Sequence, residues 1–79
     1  MHAIKLDSFN NWISYALSDL ARLPGRDAPM AREIIGDMVM GSLRHALRRA
    51  NEMKDSARKA ACFRMMNRLR AALRQTVSP

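Results

Sequence analysis

Residues 47–62 read LRRANEMKDSARKAAC, and the fold turns on whether the chain breaks inside them. Leading into this stretch Leu43, Ala46 and Leu47 recur at helical spacing and run on through Ala50 to Met53. After it Cys62, Met66, Leu69 and Leu73 do the same. The residues between, Asn51 to Ser56, include no glycine or proline. Asp55 or Ser56 can cap a new helix through a side-chain oxygen, but neither forces one to begin. Two architectures follow. Either the chain folds back as a small three-helix bundle, or residues 28–76 form one rod of about 70 Å at 1.5 Å per residue, which needs a partner to cover it. The bundle is the expected fold, because helices beyond about 25 residues are unusual in small domains.

Toward the N-terminus, Phe9, Trp12, Ile13, Ala16, Leu17, Leu20 and Leu23 fall on one face of a helix expected over residues 8–23. Asp7 or Ser8 would cap it, and Pro24-Gly25 would stop it. A second helix is expected over 28–52, beginning near Asp27 or Ala28 with Pro29 in its first turn, where the missing N–H is not needed. Its apolar stripe starts at Ile35 and Val39. Gly36 and Gly41 interrupt the pattern, and each weakens a helix by about 1 kcal/mol relative to alanine. Gly36 lies on the stripe, which predicts close packing of another helix. Nothing in the pattern explains Gly41. The third helix is expected over 55–76, flanked by Met65, Ala72 and Val77.

A single all-α domain of 79 residues has a marginal core, since a chain of this size buries only about 60% of the surface its unfolded form exposes. Small domains supplement such a core with disulfides, metals or a second subunit. Cys62 is the one cysteine, so an internal disulfide is excluded. With His2 and His45 as the only histidines, no ligand set has metal-site spacing and none is expected. Self-association through helix faces is the remaining device, and a homodimer is expected.

Charge carries the functional information. The chain has 14 basic and 7 acidic residues, a formal net charge of +7. The excess lies in the second half: residues 44–79 hold Arg44, Arg48, Arg49, Lys54, Arg58, Lys59, Arg64, Arg68, Arg70 and Arg74 against only Glu52 and Asp55. Arginine dominates, and its planar fork of donors suits phosphate and carboxylate oxygens. Arg44, Arg48, Arg64, Arg68 and Arg74 point away from the apolar stripes and are the candidate contacts to nucleic acid or to an acidic protein surface. Phe63 is the only aromatic residue among them, which argues against extensive stacking on single-stranded bases. The one glycine-containing turn leads into Met30, Arg32 and Glu33, a poor reading head for the major groove, so non-specific binding is the expected mode.

The alternative is an adaptor or inhibitor that docks on a larger protein, using the same arginines or the surface around Tyr15 and Met38. Met38 falls beyond the apolar edge of the second helix, and Tyr15 lies on the polar side of the first. His45 is expected at the surface and Cys62 in the core. Glu33 and Asp37, one turn apart, read as a solvated pair. No nucleophile, general base or glycine-rich phosphate loop can be assembled, so the chain is read as a non-enzyme without a cofactor. It lacks an apolar run of membrane-spanning length, and a cytoplasmic protein is expected.

Overall fold

A computed structural model describes residues 3–74 as three α-helices in the order α1 (Ala3–Ala21), α2 (Pro29–Glu52) and α3 (Ser56–Arg74). The rod is not formed. The chain turns at Met53–Asp55 and α3 folds back on α2, giving an all-α domain of three packed helices.

The turn is made by backbone conformation and hydrogen bonds. Lys54 takes a left-handed backbone, φ 55°. Its N–H donates to the Asn51 carbonyl, and the Asp55 N–H donates to the Ala50 carbonyl, both at 3.0 Å. This pair of bonds is the Schellman closure of a helix C-terminus, built here on lysine where glycine is usual. Asp55 then caps α3: its Oδ1 accepts the Arg58 N–H at 3.0 Å and its Oδ2 accepts an Arg58 guanidinium N–H at 2.6 Å. One residue thus closes α2 and opens α3.

The start of α1 differs from expectation. The helix already includes Ala3, so neither Asp7 nor Ser8 caps it. Ser8 instead lies inside the helix, where its hydroxyl accepts the Arg49 Nε–H from α2 at 3.1 Å. A serine before an apolar run has the composition of a cap, but tertiary contact puts its oxygen to another use. α2 begins at Pro29 as expected, with Ala28 at its N-cap and no side-chain cap. The expected end of α3 at residue 76, with the flanking Val77, and the histidine at position 2 lie outside the described residues.

α2 is the central element. Ala16 of α1, Val39, Met40 and Leu43 of α2, and Met66 and Leu69 of α3 form one buried cluster, while Phe9, Ala46, Ala50 and Cys62 form a second. Gly36 packs as its position on the stripe predicts: a Cβ there would sit 3.1 Å from a Leu73 methyl. Arg32 ties three parts together by donating to the Pro24 carbonyl at 2.7 Å and the Ala72 carbonyl at 2.8 Å. α1 and α3 both pack on α2, but no Cα of one comes within 8 Å of the other. Leu17 and Leu20, counted on the α1 stripe, consequently remain 51% and 38% exposed.

Candidate polyanion-binding cleft and neighbouring surfaces

The hairpin of α2 and α3 brings Arg44, Arg48 and Asn51 of α2 to the same cleft as Lys59 and Phe63 of α3. The result is a shallow cleft of about 360 Å³ lined by Arg44, Leu47, Arg48, Asn51, Lys59 and Phe63. Arg44 and Arg48 lie one turn apart, about 6 Å along the axis. Leu47 forms the floor, and Phe63 is 48% exposed at the edge. Among the described residues no carboxylate lines the cleft. Its three cations make no salt bridge among the described residues.

The structure therefore sorts the basic residues into two groups. Arg22, Arg49 and Arg58 pair with Asp19, Glu52 and Asp55, each three residues away, and Arg32 is spent on carbonyls. Arg58 also lies over the Phe9 ring, 5.7 Å from its centre, a cation–π contact that joins α3 to α1. Arg44, Arg48, Arg64, Arg68 and Arg74 are all exposed.

These five candidates do not converge on one site. Only Arg44 and Arg48 share the cleft. Arg68 stands on the rim of an apolar groove of about 300 Å³ between α1 and α3, whose walls include Leu17, Leu20, Val39, Leu43 and Met65. Arg64 is at the surface of α3, and Arg74 is in its last turn, where a cation is favourable to the helix dipole. Lys59 and Phe63 line the cleft but are not among the five contacts expected from sequence. Their one-turn spacing was a usable signal, but placing them beside Arg44 and Arg48 required knowing that the chain reverses at Lys54.

The two interface candidates are exposed, Tyr15 at 55% and Met38 at 45%. Tyr15 is the outer member of a ring ladder: it meets Trp12 edge-on at 5.6 Å, and Trp12 stacks on His45 at 4.3 Å and 19°. His45, expected free at the surface, is thus half-buried and packs α2 against α1. Cys62 is buried as expected, and burial pushes its thiol above the ordinary range, which favours the inert protonated form. Among the described residues no group of three potential ligands could hold a metal, and no helix is long and apolar enough to cross a membrane.

Fold and surface together define a small three-helix domain with a basic cleft on one side and an apolar groove on another. No family model, curated protein or solved structure matches the chain.

Proposed function

We propose that this protein acts by binding alone, and that its cleft between α2 and α3 engages a polyanion, nucleic acid in the first place. The observation that carries the reading is the convergence of Arg44, Arg48 and Lys59 from two helices on one shallow cleft free of carboxylates. Cations with no salt bridge among the described residues are available to neutralise phosphates and release their counterions. Arg64, Arg68 and Arg74 add positive charge elsewhere on α3, outside the cleft. Phe63 offers one stacking platform, too few for base-by-base reading, so shape and charge would set the preference.

The test is binding to short duplex DNA, duplex RNA and single strands as salt is raised, comparing the wild type with the Arg44→Ala/Arg48→Ala/Lys59→Ala variant. Each phosphate contact contributes about 0.7 to 0.9 to the slope of log affinity against log salt, so the triple variant should lose about 2 to 3 from that slope. Equal affinity and slope in the two proteins would remove the cleft from consideration.

A second reading, docking on a larger protein whose activity it alters, is favoured by the groove beside Arg68 and the exposure of Leu17, Tyr15 and Met38. It would show one or two dominant hot spots of about 2 kcal/mol or more rather than a distributed electrostatic loss. Self-association belongs to either reading, because a core this small gains stability from burying further apolar surface.

A further inference from the structure

We propose that the exposed face of α2 is a two-fold interface on which a second copy of the chain lies antiparallel, crossing at Gly41. The proposal rests on self-association and adds its geometry.

Three observations meet on this face. Met30, Ile34 and Met38, at successive one-turn steps, are 77%, 58% and 45% exposed and form an apolar line that belongs to neither buried cluster. Gly41 continues that line, and a Cβ there would meet nothing within 4 Å. Nothing inside the domain therefore requires glycine in mid-helix, where alanine makes a more stable helix. The third observation is the order of charges. Glu33 and Asp37 precede Gly41, Arg44 and Arg48 follow it, and all four are exposed. None of them makes a salt bridge among the described residues.

The positions are symmetric. Asp37 and Arg44 are equally far from the point between Met40 and Gly41, about 5 Å along the axis, and Glu33 and Arg48 are each about 11 Å from it. A two-fold axis perpendicular to the helix at that level, passing between the two copies, reverses the second α2 and exchanges acid with base. Asp37 then faces the partner's Arg44 and Glu33 faces the partner's Arg48, with each pairing made twice, as an isologous contact requires. A parallel arrangement would set acid on acid and base on base.

The missing side chain at Gly41 lets the two backbones approach, and Met38 and Ile34 cover the partner's helix, including the aliphatic stem of the partner's Arg48. The groove between α1 and α3 lacks this self-complementarity: among its lining residues Arg68 is charged and none is acidic, so a second copy carrying +7 finds nothing there to match it. Arg44 and Arg48 also border the polyanion cleft, so self-association is measured without nucleic acid.

The experiment is sedimentation equilibrium of the full chain over a range of concentrations, for the wild type, Asp37→Arg, the Asp37→Arg/Arg44→Asp exchange and Gly41→Ala, with helicity checked by circular dichroism. The expected result is a wild-type dimer that Asp37→Arg weakens about tenfold or more, with recovery to within about threefold in the charge exchange. Gly41→Ala should weaken the dimer while raising the melting temperature of the dilute monomer, a pair of effects that a purely structural glycine would not give. A wild type that stays monomeric at the highest concentration overturns self-association and this geometry together. A dimer unmoved by Asp37→Arg and Gly41→Ala but broken by Leu17→Asp overturns the geometry alone and moves the interface to the groove.

Discussion

Lys54 carries a backbone conformation that glycine adopts without steric cost, φ 55°, at the point where the direction of the chain is decided. Lys54→Gly should therefore stabilise the fold by about 1 kcal/mol, seen as a rise of several degrees in thermal melting. Asp55, next to it, has its carboxyl held below the ordinary range, first by the Arg58 backbone N–H and then by the Arg58 side chain. A lowered folded value means the contribution is complete above the carboxylate's unfolded value and is lost as pH falls through the folded one. Stability should thus decline below about pH 4, and Asp55→Asn should flatten that part of a stability–pH curve. Arg32 is the remaining anchor, with two charge-assisted bonds to carbonyls of the α1–α2 loop and of α3. Replacing it with methionine should cost about 2 to 3 kcal/mol in urea unfolding, since both carbonyls lose a charged donor. The cap at Asp55 could be read from its residue type. The role of Arg32 could not, because its two partners lie 8 and 40 residues away.

At the scale of the element, apolar periodicity located all three helices, since a face that must be buried writes its spacing into the chain. It gave the packing at Gly36, left open whether α2 ends or runs on into α3, and misplaced the start of α1, where Asp7 and Ser8 have the chemistry of caps without the position. The two mid-helix glycines behave oppositely. Gly36→Val should destabilise by about 1 to 3 kcal/mol, because Leu73 already stands where its branches would go. Gly41→Ala, facing open space, should stabilise the isolated domain by about 1 kcal/mol. Thermal melts of the two variants at low protein concentration check both. Periodicity alone could not separate them, because it reports which face a residue occupies and not what lies beyond that face.

For the whole molecule, stability concentrates in the few side chains shared by all three helices. Leu43 is 1% exposed at the centre of α2. Leu43→Ala should cost about 2 to 5 kcal/mol in denaturant unfolding, a large part of the roughly 4 to 12 kcal/mol available to a domain of this size. The sequence by itself determined that the chain is helical, which helix faces are apolar, and that its second half is strongly basic, because each of these depends on neighbours within a few turns or on composition. Tertiary structure alone decided that the chain reverses at Lys54. The same reversal laid Arg58 over the Phe9 ring and left Arg44 and Arg48 to meet Lys59 and Phe63. It also left Leu17 and Leu20 uncovered. The physical reason is that a charge's availability depends on the groups that reach it through space. For this chain those groups are set by a three-residue turn whose left-handed lysine no local propensity would select.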